Sequence, residues 1–341
     1  MNVSVIILNW NGQSLMEKFL PSVIANTPAE IAEIIVADNG STDNSIAMLN
    51  EKFPSIRVIR LERNYGFAEG YNKAIAQTGA TYTVLLNSDV EVTPHWLDAP
   101  LSIMEANPSI AAVQPKIRAY HNKKMFEYAG AAGGFLDVYG YPYCRGRILS
   151  IVEEDYGQYD TPTEILWATG ACLFVRTEVY KKEGGLDANF FAHQEEIDLC
   201  WRLRTRGYRI VCTPQSAVFH VGAATLKSES PQKTFLNFRN NLLMLYKNLP
   251  ERELRRVFRI RYGLDVIAAT KFFVTGHPKN AWAVFRARHE FKRLKKDYSE
   301  IRKENIDKTT CAPVPEIRAK SLLFSFYFKG KQKFSQLEPV R

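Results

Sequence analysis

The sequence is poor in cysteine and contains no long apolar run, and each absence excludes a class of protein. Five cysteines among 341 residues are spread along the chain without any C-x-x-C pair, which argues against a disulfide framework or a zinc site. No run reaches the roughly 18 uninterrupted apolar residues of a membrane-spanning helix. Residues 1–9 lack a basic segment, and their apolar run is too short for a signal peptide. We therefore expect a cytoplasmic protein with reduced thiols.

Two glycine-rich phosphate-binding patterns are also missing. The chain contains neither G-x-G-x-x-G nor G-x-x-x-x-G-K-[ST], which weakens dinucleotide-binding and P-loop interpretations. With 46% hydrophobic and 24% charged residues, the composition is that of a globular protein, and the length favours about two domains.

Acidic residues are scarce in the last quarter of the chain. Residues 1–250 hold 23 Lys and Arg against 26 Asp and Glu, whereas residues 251–341 hold 22 against 10. The net charge of +9 therefore belongs wholly to the C-terminal region. Such asymmetry favours contact with an anionic surface, either nucleic acid or acidic lipid. We predict a first domain over 1–250 and a basic, amphipathic helical region over 251–341.

The first 90 residues alternate apolar strand-like runs with segments of helical spacing. Strands are predicted over 3–8, 34–37, 56–61 and 81–86, with helices over 14–25, 44–53 and 66–77. This alternation predicts an α/β fold, in which a mostly parallel sheet is flanked by helices on both faces.

Two of the predicted strands end in a carboxylate. Asp38 follows one apolar run, and Asn87-Ser88-Asp89 follows another. Ligands of open α/β sheets bind outside the carboxyl ends of the strands, so both acids are candidate site residues. The glycine-containing segment 64–73 lies between them and would let backbone approach a nucleotide closely. Alternatively, residues 87–89 form only a turn, and 64–73 only a capped helix.

A second group of acids occurs near residue 195. Glu195, Glu196 and Asp198 open a predicted helix, where acids favour the helix dipole, and Asp198 can pair with Arg202. Helix capping explains Asp198 but leaves the two glutamates, which follow two phenylalanines, unexplained.

Three other residues further along the chain leave alternatives open. His220 follows a short apolar run, and a lone histidine in such a setting is more often a satisfied core residue than a ligand. His193 has an outside chance of touching substrate. Arg239, on a predicted helix over 233–247, faces either a phosphate or solvent.

Several segments, taken in order, resemble family 2 glycosyltransferases of the GT-A fold. In the first 90 residues these are Asn9, 36–43 (VADNGSTD), 64–72 (NYGFAEGYN) and 87–89 (NSD). The likeness resumes at 167–172 (WATGAC), 190–202 and His220, so it covers about residues 1–250. Within the family, the chain is most similar to bacterial rhamnosyltransferase-like members that build cell-surface polysaccharide.

The resemblance implies a nucleotide-sugar site, a metal ion and a catalytic base. A divalent ion, Mg²⁺ or Mn²⁺, is expected on Asp89 and His220. Because Asn87 replaces the first acid of the metal motif, one carboxylate and donor phosphate oxygens remain to hold the ion, which suits Mg²⁺. The base falls on Glu196, with Glu195 as second choice. The nucleotide sugar is expected against Asn9, Asp38, Asn64, Gly66, Gly70, Asn72, Asn87, Asp89, Trp167 and Gly170.

The basic C-terminal region has three possible interpretations. Its mixture of apolar and basic residues suits helices that lie in a bilayer interface beside anionic lipid. Helical packing or homo-oligomerisation is an equally good alternative. Nucleic-acid binding is not expected, because no recognised nucleic-acid module accompanies the charge. An aromatic cluster over 322–328 is a further candidate anchor.

The sequence thus predicts an inverting, metal-dependent glycosyltransferase, peripheral on the inner face of the cell membrane. Its partners would be a nucleotide-diphosphate sugar, with dTDP-rhamnose favoured by resemblance, and a saccharide or lipid-linked acceptor. Two alternatives are a nucleotidyltransferase on a similar sheet and a catalytically silent, membrane-associated nucleotide-sugar binder.

Overall fold

The computed structural model describes residues 2–222 and 230–338. The first part of the chain alternates strands and helices in the following order: β1 Val3–Asn9, α1 Gln13–Ala25, β2 Ala32–Asp38, α2 Ser45–Lys52, β3 Arg57–Arg60, α3 Gly66–Ala76, β4 Tyr82–Asn87, β5 Val90–Val92, α4 Asp98–Ala106 and β6 Ile110–Ala119. The predicted βα alternation of this part is confirmed.

The middle of the chain is richer in strands: β7 Gly134–Asp137, β8 Pro142–Cys144, β9 Arg147–Ile148, β10 Ile151–Val152, β11 Thr163–Glu164, β12 Cys172–Arg176, α5 Thr177–Lys182, α6 Glu195–Thr205 and β13 Arg209–His220. The remainder is mainly helical: α7 Pro231–Asn248, α8 Glu251–Val274, α9 Pro278–Leu294, α10 Ser299–Asp307, β14 Ile317–Arg318 and α11 Leu322–Tyr327. Two short 3₁₀ turns cover Ala188–Phe190 and Phe334–Gln336.

In the described residues, the main sheet has the strand order β11-β13-β6-β12-β4-β1-β2-β3, and β5 pairs with β13. Strands β3, β2, β1 and β4 are parallel, whereas β12 runs antiparallel to β4 and to β6. The register places Asn9 opposite Asp38, and Leu8 opposite Asn87. The carboxyl ends of β1, β2 and β4 therefore lie side by side at one edge of the sheet.

The central strands are buried on both faces, which is why they read as continuous apolar runs. Alternate residues enter two different cores: Ile6 and Leu85 lie in one, while Ile7 and Leu86 lie in the other. The sheet is thus a rigid layer between two sets of side chains.

Strand β13 brings a distant residue to this edge. It pairs with β5 so that His220 lies opposite Val90, the residue after Asp89. The backbone N–H of Val221 also donates to the carbonyl of Asp89, at 3.1 Å. Strands β5 and β13 are far apart in the sequence, and their pairing places the imidazole beside the carboxylate.

Residues 134–152 form four short strands of a second sheet, whose order is β10-β9-β8-β7-β14. Strands β7 and β8 form an antiparallel hairpin, and β14 pairs with β7 in parallel from the C-terminal region. This sheet lies behind Trp167, whose indole N–H donates to the carbonyl of Phe135 at 3.0 Å.

The C-terminal region packs on the sheet domain through buried polar contacts. The Arg204 guanidinium pairs with Glu316, with Nη2 and Oε1 2.6 Å apart. The backbone N–H of Leu322 donates to Asp137 at 2.8 Å. The division at residue 250 remains a prediction. Over the described ranges, none of the helices combines the length and the apolar character needed to cross a bilayer.

Candidate active site

A carboxylate and an imidazole meet at the end of β4. The Nε2 atom of His220 lies 3.1 Å from Oδ1 of Asp89 and 3.3 Å from Nδ2 of Asn87. On the other side of the ring, Nδ1 lies 3.5 Å from Oε2 of Glu127. No local pattern distinguishes Glu127, because it lies in an irregular segment before the second sheet. His220 is therefore in direct contact with both Asn87 and Asp89.

The two carboxylates control the charge of His220. Burial alone would lower the pKa of the imidazole, but hydrogen bonds and charge from Asp89 and Glu127 raise that pKa to about 10. The ring is thus an imidazolium at neutral pH, and its proton occupies the position between Asp89 and the ring nitrogen.

These residues fit a divalent cation only in part. Replacement of the Nε2 proton by an ion would give one carboxylate oxygen and one imidazole nitrogen as ligands, a donor set that Mn²⁺ and Mg²⁺ accept. Asp89 and Glu127 flank opposite ring nitrogens, so they do not converge on one point. Across residues 2–222 and 230–338, no three His, Cys, Asp or Glu side chains are grouped to hold a metal. Further ligands would have to come from water or substrate.

The second chemical centre is the first turn of α6. Glu195 is only 4% exposed and Glu196 is half-buried. The Oε2 atom of each glutamate is buried without a hydrogen-bond partner. Burial raises the pKa of Glu196 to about 7, although backbone N–H groups, including that of Gly170, lower it in part. Burial and the charge of Glu196 raise the pKa of Glu195 well above its usual value. Unpaired buried acids of this kind are typical of catalytic sites.

The loop before α6 is strained. Phe191, His193 and Gln194 have φ angles of 62°, 71° and 73°, a left-handed region that costs free energy for any residue except glycine. The carbonyl of Phe191 accepts the backbone N–H of Phe67 at 2.6 Å, at the start of α3. The loop therefore ties the glutamate pair to the predicted nucleotide segment.

Asn240, on α7, holds this strained loop in place. Its Nδ2 atom donates to the carbonyls of Phe190, Ala192 and His193, at 2.9, 2.9 and 2.7 Å. The neighbouring Arg239 donates to the carbonyl of Asn189 at 2.7 Å. Arg239 is half-buried and uses its Nη2 atom in this contact, and the choice between a phosphate and solvent that the sequence left open stays open. The positioning role of Asn240 was missed, because nothing local distinguishes it from a solvated helix residue.

Lys233 interacts electrostatically with a residue beside each chemical centre. This half-buried lysine lies in the first turn of α7, and burial lowers the pKa of its ammonium group while Glu127 raises it. Burial and the charge of Lys233 together lower the pKa of His193 to about 4. Lys233 therefore lies within electrostatic reach of Glu127, beside His220, and of His193, two residues before Glu195. No local pattern distinguishes Lys233 from a solvated helix residue.

The predicted nucleotide side of the site is built on the ends of β1 and β2. Oδ1 of Asp38 accepts Nδ2 of Asn9 at 3.1 Å, and Oδ2 accepts the backbone N–H of Ser41 at 3.1 Å. Asn9 is fully buried and Asp38 is 4% exposed. Asn9 therefore orients Asp38, and the two predicted residues form one unit.

The glycine-containing segment packs against this unit through Asn39. Its Nδ2 atom donates to Oδ1 of Asn64 at 3.2 Å and to the carbonyl of Gly66 at 2.9 Å. Gly66 has a φ of +77°, and a Cβ there would lie 2.5 Å from the Phe191 ring. A Cβ on Gly70 would lie 3.0 Å from Leu8. These glycines thus permit close packing between α3, β1 and the strained loop.

Asn72, Trp167 and Gly170 make different kinds of contact. Asn72 bonds the backbone of Leu186 at both ends of its amide, with Nδ2 donating at 2.7 Å and Oδ1 accepting at 3.1 Å. Trp167 is 3% exposed, so its ring supports the site from the core. Gly170 lies between Glu196 and Phe67, because a Cβ there would be 2.8 Å from the Phe67 ring.

Comparison with known proteins identifies the family. Residues 4–184 match the family model described as Glycosyl transferase family 2. The chain belongs to glycosyl transferase family 2. This membership confirms the resemblance that the strand-end motifs predicted.

Two curated proteins are similar to the chain in sequence. Over 234 residues the chain is 26% identical to an N-acetylglucosaminyl-diphospho-decaprenol L-rhamnosyltransferase of Mycobacterium tuberculosis, which covers 63% of this chain and 75% of that protein. Over 231 residues it is 26% identical to the O-antigen biosynthesis protein RfbC of Myxococcus xanthus. That match covers 67% of this chain but only 18% of RfbC.

A solved structure confirms the fold. A crystal structure of GalNAc-T7 with UDP, GalNAc and Mn²⁺ matches with a TM-score of 0.60 and 16% identity, covering 92% of this chain and 58% of that one. The predicted GT-A-like fold, a mostly parallel sheet with flanking helices and a helical C-terminal region, is therefore confirmed.

Proposed function

We propose that this family 2 protein is a metal-dependent inverting glycosyltransferase. It transfers a sugar from a nucleotide diphosphate to a saccharide or lipid-linked acceptor in cell-surface polysaccharide biosynthesis. The observation that carries the proposal is the Glu195–Glu196 pair, in which the Oε2 atom of each side chain is buried without a hydrogen-bond partner. The contact of Asp89 with His220 at the end of β4 is the candidate diphosphate site that accompanies it. Glycosyl transfer requires both a group that accepts a proton and a site for the leaving diphosphate.

The proposed division of labour follows from the charges. Glu196 accepts the proton of the acceptor hydroxyl as positive charge develops at the anomeric carbon on the opposite side from the leaving diphosphate. Lys233 binds the diphosphate as a point charge. Asp38 accepts hydrogen bonds from the base or ribose of the nucleotide. A divalent ion held by Asp89 and His220 would neutralise charge on the leaving group.

Glu195 is assigned a supporting role. Burial and the charge of Glu196 raise its pKa well above the usual value, which favours its protonated form. A protonated carboxyl next to Glu196 avoids two adjacent negative charges and can donate one hydrogen bond. Glu196, whose backbone contacts lower its pKa in part, is the group of the pair that ionises first.

The donor and acceptor are proposed from relatives. The name of the mycobacterial relative contains both L-rhamnosyl transfer and a decaprenol diphosphate acceptor. We therefore favour dTDP-rhamnose as donor and a polyprenol-linked saccharide as one acceptor class, reached from the cytoplasmic face of the membrane.

A panel of nucleotide sugars tests the proposal. The protein is incubated with each donor and Mg²⁺ or Mn²⁺, with EDTA as the metal-free control, and the nucleotide product is identified. Release of nucleoside diphosphate from one donor class, abolished by EDTA, is expected. Pyrophosphate as the product would instead support the nucleotidyltransferase alternative. Donor binding without any product, in the presence of saccharide and lipid-linked acceptors, would support the silent binder.

A further inference from the structure

We propose that the end of the α8–α9 hairpin is a docking surface for an anionic lipid bilayer. The surface, called the hairpin patch below, consists of Ile267, Lys271, Phe273, Val274, Lys279, Trp282 and Phe285. The proposal rests on the proposed function only in the choice of a lipid-linked acceptor as the reason for docking.

The apolar members of the hairpin patch are unusually exposed. Phe273, Val274 and Trp282 are 67%, 73% and 65% exposed, and Ile267 is 66% exposed. The opposite faces of the same helices are buried, where Ala269, Ala281 and Val284 form a small core with other residues of this region. The two helices thus already have an inner apolar face, and the outer one is additional. Contiguous exposed apolar surface of this kind marks an interaction site.

The charge of the hairpin is of one sign. Residues 266–289 contain no Asp or Glu, whereas Lys271 and Lys279 lie among the exposed apolar residues. Arg288 in the same segment bonds the buried Asp265 from α8, so it belongs to the hairpin's interior. A surface of exposed aromatic and lysine side chains without acids complements an anionic head-group layer.

The geometry favours a bilayer surface over a membrane span. Tryptophan and phenylalanine at a helix end insert to the depth of the head groups, because the apolar ring enters the acyl boundary while polar neighbours stay in water. Lysine side chains extend toward head-group phosphates in the same arrangement.

The hairpin packs on the helix that supports the candidate active site. Asn280, between Lys279 and Trp282, donates to Oγ1 of Thr234 on α7 at 2.9 Å. The same helix carries Asn240, which holds the loop before Glu195 and Glu196. Helix α7 therefore connects the hairpin to the proposed base, and docking on a bilayer would bring the enzyme to the surface that carries a lipid-linked saccharide.

Charge also argues against a second copy of the chain as the occupant. Two identical patches placed face to face would bring lysines together with no acid from residues 266–289 to pair them, and like charges across an interface are unfavourable. Nucleic acid would use the lysines but would leave Val274 and Ile267 without a role.

Vesicle flotation of the full-length protein tests the proposal. Vesicles of phosphatidylcholine alone are compared with vesicles that contain phosphatidylglycerol. The wild-type protein is expected to float with the anionic vesicles. The double variant Phe273→Ser/Trp282→Ser is expected to bind at least about tenfold more weakly, because two large apolar side chains no longer enter the bilayer. Lys271→Glu/Lys279→Glu should lose the preference for anionic lipid.

A matched control is Phe328→Ser. Phe328 is 79% exposed and lies beside Lys329 immediately after α11, so it has similar chemistry outside the hairpin and tests the aromatic cluster over 322–328 as the alternative anchor. This variant should float like wild type. Equal loss in Phe328→Ser and in the hairpin variant, or unchanged flotation of the hairpin variant, would overturn the assignment. So would a dimer in sedimentation velocity that the hairpin variant alone dissociates.

Release of nucleoside diphosphate from a soluble donor separates the two proposals. Hairpin variants should retain this activity with a water-soluble acceptor and lose it selectively with the acceptor embedded in vesicles. If wild-type protein floats but releases no nucleoside diphosphate from any donor, the proposed function fails while the docking surface stands.

Discussion

The acids in the first turn of α6 have two different kinds of surroundings. Asp198 is fully buried, yet its carboxylate accepts from Lys247 at 2.7 Å, from Arg202 at 3.0 Å and from Asn248 at 2.9 Å. Burial alone would raise its pKa, but the two cations lower that pKa below its usual value. In the same turn, Glu195 is buried and Glu196 is half-buried, the Oε2 atom of each has no hydrogen-bond partner, and both pKa values are raised.

The difference teaches that partners, and not burial, distinguish a structural acid from a reactive one. A buried carboxylate with two cations is held ionised at every physiological pH. A buried carboxylate without them keeps its proton until about neutral pH and can exchange it there, as a general base must. Three acids in four positions of one helix thus divide into two functions.

Replacing the proposed base should give the largest effect. Glu196→Gln keeps the shape of the side chain but removes its ability to accept a proton. We expect kcat to fall about 10²- to 10⁴-fold, the usual contribution of a general base, while the Kd for the donor is unchanged. Steady-state kinetics and calorimetric donor titration measure the two quantities.

Glu178→Gln is the matched control for this variant. Glu178 is an exposed glutamate on α5, and its replacement should leave kcat unchanged. Glu196→Gln should not lower the free energy of unfolding. Burial disfavours the ionised carboxylate of Glu196, and the neutral amide of glutamine avoids this cost. Normal turnover in Glu196→Gln with strongly reduced turnover in Glu195→Gln would transfer the role of base to the neighbour.

The same carboxylate-to-amide change at Asp198 should affect stability instead of turnover. Asp198→Asn leaves Lys247 and Arg202 buried with one negative partner fewer. Removing one member of a buried ion pair costs about 3–5 kcal/mol, and we expect a loss of this order in the free energy of unfolding. Urea denaturation provides the measurement. A stable Asp198→Asn protein with lowered kcat would contradict the assignment of a structural role to Asp198 and a reactive role to Glu196.

Much of the fold and of the strand-end residues could be predicted from the sequence. The alternation of apolar runs with helical spacing in residues 1–90 is a local signal, and Asp38 and Asp89 stand where such runs stop. The register of β1 with β2 and β4 then brings these positions together, as parallel pairing requires.

The remaining site residues depend on contacts between distant segments. Glu127 reaches His220 from an irregular stretch, and Asn240 reaches the 190–193 loop from a helix about 50 residues away. Neither residue has a local pattern that differs from ordinary surface. Asn72 is the opposite case, because it belongs to a motif that the sequence shows. In the structure, its side-chain amide makes hydrogen bonds to the backbone of Leu186.

A substitution that loosens the strained loop before α6 should disturb the position of Glu196 and have a smaller effect on turnover. Asn240→Ala removes the donor from the carbonyls of Ala192 and His193 and one of the donors from that of Phe190, so the loop should relax and Glu196 should move. A shift of about 1 Å at a reacting group costs up to about 10²-fold in rate, and we expect a fall of roughly 10- to 100-fold in kcat. Asn26→Ala is the control: Asn26 caps α1 by donating to Ser22 at 2.8 Å, and its loss should lower stability but not kcat.

The pH profile should give the mildest and most selective test. Glu196 must be ionised to accept a proton, so kcat/KM should fall as pH falls through about 7, the pKa that burial gives to this carboxyl. The pKa of Asp198 is shifted in the opposite direction, downward. Its contribution to stability is therefore present above the usual carboxyl pKa of about 4 and is lost only as pH falls through the lowered pKa. The protein should therefore stay folded while activity declines between pH 7 and 5.5. Because burial and the charge of Glu196 favour the protonated form of Glu195, Glu195→Gln should leave the midpoint nearly unchanged. A midpoint displaced by a full unit or more in Glu195→Gln would show that Glu195 carries charge in the active enzyme, and the assignment of the proton within the pair would then have to be reversed.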